Sequence, residues 1–280
     1  MHIGIEGRKN LGTKFVLLAP RHGRTGTTKN VVRKTSLHQK FLAGAQQLRG
    51  RIYVADGAVR DCDLTADGRH LHSADEASWH ILTVDAWDRV TSCLRYFAHD
   101  SGVSFAELAI SRSGIAQSDE VRQGIQEELD LANRRGFSYV ELGGWAISES
   151  LRCTTQAIST LVTVYALSQM LGGAQGLSTA TTRHHSSSIL KRMGGAALRS
   201  QGKEISPYYD PQYGCEMELL RFDSTSPNGR YTSWIRECGT ALGELPVITQ
   251  ERSERCSADL RQWGGAFSET ISAPGELAFT

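Results

Sequence analysis

The stretch ELGGWAISESLRCTTQA (residues 141–157) joins two segments of different character. The segment that leads into it, SYVELGGWAI (138–147), is apolar and rich in β-forming residues, which predicts a buried strand. The segment that follows, ISTLVTVYALSQML (158–171), is apolar over the length of a helix and ends at two glycines. The polar residues LRCTTQA therefore lie at a strand-to-helix junction, where many folds bind phosphate. The alternative is a plain connection between two packed elements.

Strand and helix patterns alternate on both sides of this junction. Strands are predicted at 13–20, 137–147, 174–182 and 215–223, a β-hairpin at 78–98, and helices at 36–55, 118–136, 158–171, 186–195 and 231–241. In the hairpin, two β-branched runs flank Ala86, Trp87 and Asp88. This order predicts a mixed α/β sheet with helices as crossovers.

Two of these segments carry additional local signals. In the helix at 118–136, Ser118 is a candidate N-cap and Gly136 a stop. Its predicted buried stripe is Val121, Ile125, Leu129 and Ala132. The basic segment 21–35 is predicted to be a loop, and its GRTGTT lacks the lysine of a phosphate-binding P-loop.

Composition excludes several classes of function. The chain has 280 residues and a net charge of +1, which gives no general support for binding nucleic acid or an anionic membrane. No apolar run approaches the roughly 20 residues of a membrane span, and the N-terminus lacks the apolar region of a signal peptide. The six cysteines are scattered without a CxxC, so neither a metal site nor a disulfide framework is expected and a cytoplasmic location is favoured.

Four segments carry a resemblance to known enzymes. They are LRGRIYVADGAV (48–59), the hairpin at 78–98, YVELGGWAI (139–147) and RHHSSSILKRMGG (183–195). In this order they resemble the GNAT superfamily of acyl-CoA N-acyltransferases, and within it the acyl-homoserine-lactone synthases and the long-chain N-acyl amino acid synthases. The resemblance implies a GNAT-like fold with a mostly antiparallel twisted central sheet. It also implies a bacterial enzyme whose acyl donor is often an acyl carrier protein.

The resemblance implies roles for the central strand. Glu141 matches the glutamate of the synthases and would deprotonate the acceptor amine, provided that burial raises its pKa toward neutrality. Gly143 and Gly144 permit a bulge that exposes a backbone N–H to the thioester oxygen. The alternatives are an outward-facing or ion-paired carboxylate at Glu141, and glycines that accommodate a tightly packed helix.

The junction loop would bind the donor. In the superfamily the pyrophosphate loop reads Arg/Gln-x-x-Gly-x-Gly/Ala, and the residues that correspond to it here are Arg152, Cys153, Thr154, Thr155, Gln156 and Ala157. A threonine stands where the first glycine is expected, which favours the single phosphate of phosphopantetheine slightly over the diphosphate of CoA. The alternative is a capped helix without a ligand. No permanently bound cofactor is expected, and acyl-CoA or acyl-phosphopantetheine would be a co-substrate.

Substrate contacts are expected from Arg95, Asp75, Arg183 and His184. Arg95 occupies the position of the synthases' hairpin arginine and could hold a substrate carboxylate; a surface ion pair is the alternative. Arg183 and His184 could equally lie in an exposed loop, and no metal site is predicted there. The superfamily's acid tyrosine is missing, since Leu190 lies about there, and Tyr208, Tyr209 or Tyr213 could replace it or simply pack a turn.

The predicted organisation has an N-terminal strand and basic loop (1–35), a GNAT-like domain (36–223) and a C-terminal helical extension with a polar tail (224–280). The predicted function is transfer of an acyl group from acyl carrier protein or acyl-CoA to the amine of a small molecule such as an amino acid. A catalytically silent module that binds acyl carrier protein or an acyl thioester is the alternative. Acylation of a protein or RNA is a weaker one.

Overall fold

The structure, a computed structural model, describes residues 14–21 and 30–251. The strands are β1 (Lys14–Leu18), β2 (Val31–Arg33), β3 (Trp79–Val84), β4 (Val90–His99), β5 (Ser138–Ile147), β6 (Ala174–Thr181), β7 (Ala196–Ala197), β8 (Arg199–Ser200), β9 (Lys203–Glu204), β10 (Tyr208–Asp210), β11 (Cys215–Asp223) and β12 (Val247–Thr249). The helices are α1 (Thr35–Ala55), α2 (Asp119–Arg135), α3 (Gln156–Met170), α4 (Ser186–Met193) and α5 (Thr232–Glu244).

A single large sheet runs in the order β10-β11-β6-β5-β4-β3-β1-β12-β2, and β7 adds to β11. Its pairs are antiparallel except for β5 with β6, β1 with β12, and β12 with β2. The prediction of a mixed, mostly antiparallel sheet with crossover helices is therefore confirmed. Within the described ranges, no helix combines the length and apolarity that a membrane crossing requires.

Local chemistry explains the elements that the sequence predicted best. In the β3–β4 turn, the Asp85 carboxylate accepts hydrogen bonds from the backbone N–H groups of Trp87 and Arg89, at 2.9 and 3.0 Å. The Ser118 hydroxyl caps α2 by accepting from Val121 N, and Gly136 ends the helix with φ of 67°. The whole predicted stripe of α2 is buried.

Two short strands correct the sequence interpretation. Residues 31–33, predicted to be loop, form β2, and the predicted polar tail contains β12. Both pair in parallel, β12 lying between β1 and β2. Three-residue strands are too short to show a period of two, which is why the pattern missed them. The GRTGTT motif (23–28) lies outside the described residues, and the domain boundaries at 35 and 223 stay predictions.

The sheet has two covered faces. Along β4, Cys93 packs with α1 while the next residue, Leu94, joins the core under α3. Along β5, Tyr139 packs with α2 and Val140 with α3. Because successive strand side chains point to opposite faces, α1 and α2 cover one face and α3 covers the other. Arg95 and Glu141 thus share the face of α1 and α2.

The sheet opens between β5 and β6. These strands pair in parallel from Ser138 with Ala174 to Leu142 with Ser178, and no further. Beyond that point β5 stays with β4, pairing Ala146 with Cys93, whereas β6 stays with β11. The carboxyl halves of the two strands therefore part, and the loops that follow them frame the opening.

Candidate functional site

A β-bulge lies beside this opening. Arg95 pairs with Gly143 and Cys93 pairs with Ala146, so that Gly144 and Trp145 together face the single residue Leu94. Gly144 has φ of 61°, a conformation that favours glycine. The bulge predicted from the paired glycines is therefore present, and it interrupts the hydrogen-bond ladder next to the parted strands.

Two arginines explain why these positions are glycines. A Cβ at Gly143 would lie 3.1 Å from Arg95 Nη2, and one at Gly144 would lie 2.9 Å from Arg49 Nη1. The close approach predicted from the glycines is thus made by guanidinium groups rather than by a helix backbone. Arg49 reaches the strand from α1, and Arg95 from the neighbouring strand β4.

Arg49, Asp75 and Arg95 form a buried charged cluster. Arg49 Nη1 donates to Asp75 Oδ1 at 2.8 Å, and its Nη2 donates to Asp75 Oδ2. Arg95 Nη1 lies 3.8 Å from Asp75 Oδ1. Gln46 and the backbone N–H of His72 also donate to the carboxylate, at 3.0 and 3.1 Å. The residues predicted as substrate contacts, Arg95 and Asp75, are therefore brought together, and Arg95 is not in a surface ion pair.

This cluster has one carboxylate for two guanidinium groups, an excess of one positive charge. Burial opposes ionisation of Asp75, but the hydrogen bonds and charge of Arg49 outweigh it, and the pKa of Asp75 falls to about 2. Burial, together with the charge of Arg49, lowers the pKa of Arg95 despite the attraction of Asp75. Arg95 is 7% exposed, and its Nε has no partner among the described residues. A buried cation so incompletely paired is suited to an anionic ligand.

Histidines around the cluster stay neutral. Burial and the charge of Arg95 lower the pKa of His72 to about 4. Burial also lowers the pKa of His80 to about 4, although its Nε2 lies 2.7 Å from the carbonyl oxygen of Asp75. At neutral pH these imidazoles therefore add no positive charge to the cluster.

Glu141 is buried and held by three donors. His99 Nε2 lies 2.8 Å from Glu141 Oε2, the backbone N–H of Ala109 donates to Oε2 at 2.9 Å, and that of Ile110 donates to Oε1 at 3.0 Å. Burial raises its pKa, but these hydrogen bonds together outweigh burial and the net pKa is lowered. The condition that burial raises this pKa toward neutrality is therefore not met, because three donors that the sequence did not show stabilise the ionised carboxylate.

The predicted loop residues lie around the start of α3. Thr154 Oγ1 accepts from the backbone N–H of Gln156 at 3.1 Å, and Thr155 adopts the N-cap position without a capping side-chain hydrogen bond. Cys153 is exposed and has φ of 61°. Gln156 begins the helix and Ala157 is its second residue. Helix α3 thus begins directly after the loop that follows β5.

Three residues predicted to bind the donor or the substrate lie around Asp56, at the end of α1. Arg152 Nη2 donates to Asp56 Oδ1 and Oδ2 at 3.0 and 3.1 Å, and His184 Nε2 lies 3.7 Å from Oδ1. Arg183 Nη1 donates to the Asp56 carbonyl oxygen at 3.0 Å, while its Nη2 donates to that of Gly214. The structure therefore brings Arg152, Arg183 and His184 together at the rim of the opening.

Of the candidate acid tyrosines, Tyr213 has a pKa that responds to the charge of Arg95. It is half-buried in the turn that Arg183 holds through Gly214. Burial raises its pKa, and the charge of Arg95 partly offsets that effect. Tyr209 is 65% exposed, and Leu190 packs against the core under α3.

Sequence reasoning missed Arg49, His99 and Asp56. Arg49 follows Leu48 in the apolar stripe of α1, where a charged residue is a signal of function. His99 lies four residues after Arg95 and therefore on the same face of the strand. Asp56 was seen only as part of a turn, and nothing in the local pattern links it to Arg152.

Comparisons with known proteins bear on the fold. No protein-family model matches the chain, and no curated protein matches it by sequence. Among solved structures, BjaI, a CoA-dependent acyl-homoserine lactone synthase bound to SAM and isopentyl-CoA, is 15% identical. The match covers 89% of this chain and 100% of that one with a TM-score of 0.52. A second BjaI structure, with MTA, matches at 14% identity over 89% and 100% of the two chains, with the same TM-score of 0.52.

FeeM, an N-acyl amino acid synthase from uncultured soil microbes, matches at 9% identity. That match covers 76% of this chain and 92% of that one, with a TM-score of 0.46. The likeness to BjaI and the topology described above agree with the resemblance read from the sequence. The chain has the GNAT-like fold of the acyl-homoserine lactone synthases.

Proposed function

We propose that the protein transfers an acyl group from a thioester to the amine of a small molecule that carries a carboxylate, such as an amino acid. The observation that carries the proposal is the bulge at Gly144, placed between the opening of β5 from β6 and the buried cluster around Arg95. The opening offers a slot for the donor arm, and the cluster offers a charge for the acceptor. BjaI, which shares the fold, was crystallised with an acyl-CoA.

The donor would enter along the parted strands. Its phosphate would lie at the rim, where Arg152 and the first turn of α3 present positive charge. Its thioester would lie at the bulge, where the interrupted ladder leaves backbone N–H groups free to stabilise the developing oxyanion. Acyl carrier protein and CoA present the same pantetheine thioester, and both fit this placement.

The acceptor would bind on the face of α1 and α2. The guanidinium of Arg95 would bind the acceptor carboxylate and supply the negative charge that the cluster lacks. Glu141 lies on the same face of the sheet. It pairs with Phe97, which is two residues after Arg95 on β4. An amine close to Glu141 would thus be oriented toward the thioester at the bulge.

The chemistry is a direct transfer. The amine nitrogen attacks the thioester carbonyl carbon, the C–N bond forms, the C–S bond breaks, and the thiolate leaves. Glu141, ionised at neutral pH, would accept the amine proton through water. Its lowered pKa makes it a weak base, and Tyr213 would protonate the leaving thiolate. No permanently bound cofactor takes part in this proposal.

A thioester panel tests the function. Acyl-CoA and acyl carrier protein of several chain lengths are incubated with pooled amino acids, and new amides are detected by mass spectrometry. We expect an N-acyl amino acid from at least one donor. If no donor yields an amide while the protein is folded, the proposal is wrong.

A matched pair of variants tests the role of Glu141. Glu141→Gln removes the proton acceptor, and we expect turnover to fall by about 100-fold or more. Ser111→Ala is the control, because Ser111 Oγ holds the neighbouring turns through the carbonyl oxygens of Leu108 and Ala106 without touching Glu141. A wild-type rate in Glu141→Gln, or an equal loss in both variants, contradicts the assignment.

The second candidate is a catalytically silent module that binds acyl carrier protein or an acyl thioester. One observation favours it: three hydrogen-bond donors already hold the Glu141 carboxylate, which weakens it as a base. Carrier-protein binding without any amide product would support this candidate.

A further inference from the structure

Four segments of the chain meet at Asp56. They are the end of α1, the loop before α3 with Arg152, the loop between β6 and α4 with Arg183 and His184, and the turn between β10 and β11 at Gly214. The Asp56 side chain is 19% exposed, and those of Arg152 and His184 are each 41% exposed. The Asp56 carboxylate is therefore mostly buried within the rim, whereas the side chains of Arg152 and His184 are accessible to a ligand.

Charges at this rim nearly cancel. Arg152 and Arg183 contribute two positive charges and Asp56 contributes one negative charge, so these three side chains carry an excess of one positive charge. A phosphodiester, as in phosphopantetheine attached to a carrier protein, carries one negative charge. CoA carries a diphosphate and a further 3′-phosphate. The single excess positive charge of the rim thus matches the one negative charge of the phosphodiester. It is smaller than the negative charge of CoA.

We propose that Asp56 determines donor specificity by limiting the negative charge that the donor can bring to the rim. This inference rests on the proposed function. The donor phosphate takes the place of the Asp56 carboxylate on Arg152, whose Nη2 spans both carboxylate oxygens. The displaced carboxylate stays nearby because Asp56 is fixed at the end of α1 by its backbone hydrogen bond to Ile52. It then repels each additional phosphate.

Arg183 makes the Asp56 position rigid. Its two Nη atoms bridge the carbonyl oxygens of Asp56 and Gly214, which ties α1 to the β10–β11 turn. A cation at the carboxyl end of a helix is also stabilised by the helix dipole. Asp56 therefore cannot move far from the rim when the donor binds, and repulsion of a highly charged donor persists in the complex.

Binding of CoA-derived thiols tests the proposal without the acylation assay. The dissociation constants of CoA, 3′-dephospho-CoA and pantetheine are measured by calorimetry for the wild type and Asp56→Asn. Asp223→Asn is the control, since Asp223 is 16% exposed, pairs with Arg135 at 2.8 Å, and lies at the opposite end of β6. If Asp56→Asn does not fold, Asp56→Ser removes the same charge.

We expect Asp56→Asn to bind CoA about fivefold more tightly than the wild type, because removing one like charge at this range has an effect of that order in a partly exposed site. The gain should be smaller for 3′-dephospho-CoA and absent for pantetheine. Adding Arg152→Gln to Asp56→Asn should abolish the gain in CoA affinity. Equal CoA affinity in Asp56→Asn and Asp223→Asn overturns the proposal while the proposed function stands. If the wild type binds no pantetheine compound at all, the donor slot itself is wrong and this inference falls with it.

Discussion

Asp75→Asn is the substitution whose effect the structure predicts most directly. The Asp75 side chain is 3% exposed, and its pKa lies at about 2 instead of the ordinary 3.8. Each pKa unit corresponds to about 1.4 kcal/mol, so ionisation of this group contributes on the order of 2 kcal/mol to folding at neutral pH. Asparagine would also leave Arg49 and Arg95 buried without a counter-charge. Breaking such a buried pair typically costs about 3–5 kcal/mol.

Urea unfolding followed by circular dichroism measures this loss. We expect Asp75→Asn to lower the free energy of unfolding by roughly 2–5 kcal/mol at pH 7. Because the folded pKa is depressed, the contribution of Asp75 is fully present above pH 3.8 and is lost as the pH falls toward 2. The difference between wild type and variant should therefore be constant from pH 7 to about pH 4 and shrink below it.

An exposed ion pair supplies the control. Glu76 pairs with Arg21 at 3.2 Å, with side chains 55% and 54% exposed, and Glu76→Gln should cost less than about 1 kcal/mol. If Asp75→Asn costs no more than Glu76→Gln, the cluster does not depend on Asp75 as its counter-charge. The excess positive charge assigned to the acceptor site would then be wrong.

Two further predictions concern the same face of the sheet. Gly144→Ala should lower the free energy of unfolding by about 1–3 kcal/mol, because the residue has φ of 61° and its Cβ would lie 2.9 Å from Arg49 Nη1. In thermal unfolding, the loss of stability should be larger than for Gly102→Ala, where φ is 85° and nothing lies within 4 Å of the added Cβ. His80→Gln should weaken the pH dependence of the free energy of unfolding between pH 6.5 and 4. Burial lowers the pKa of His80 from 6.5 to about 4 in the folded state, so the unfolded state binds the proton first as the pH falls. The wild type should therefore lose about 3 kcal/mol of stability across this range. An unchanged slope between pH 6.5 and 4 would contradict it.

Local patterns were sufficient for the framework of the fold. The hairpin of β3 and β4 and the helix α2 were predicted because their signals, alternating apolar residues, a cap and a glycine stop, lie within about 20 residues of sequence. The bulge was predicted for the same reason, since two adjacent glycines in an apolar strand mark one. The order of these elements came from the same patterns, and the resemblance to the synthases added a mostly antiparallel central sheet, which the topology confirms.

Long-range partners were beyond the reach of such patterns. Arg49 contacts Asp75 across 26 residues, and Arg152 contacts Asp56 across 96. The pKa of Glu141 depends on the backbone N–H groups of Ala109 and Ile110, which lie in one short 3₁₀ helix (Ala109–Arg112) without a periodic pattern. Apolar flanking residues indicated that Glu141 is buried, but the direction of its pKa shift depends on donors that only the folded chain brings to it.

The two halves of the proposed site share one electrostatic design. In the buried cluster, Asp75 faces Arg49 and Arg95, and at the rim Asp56 faces Arg152 and Arg183. Each group has one carboxylate for two guanidiniums, so each lacks one negative charge. Burying a cation is costly unless it is paired, and we therefore propose that an anionic ligand completes each group. In the proposed function, a carboxylate on the acceptor and a single phosphate on the donor would supply those two charges, whereas an amine without a carboxylate would leave Arg95 with only its 3.8 Å contact to Asp75.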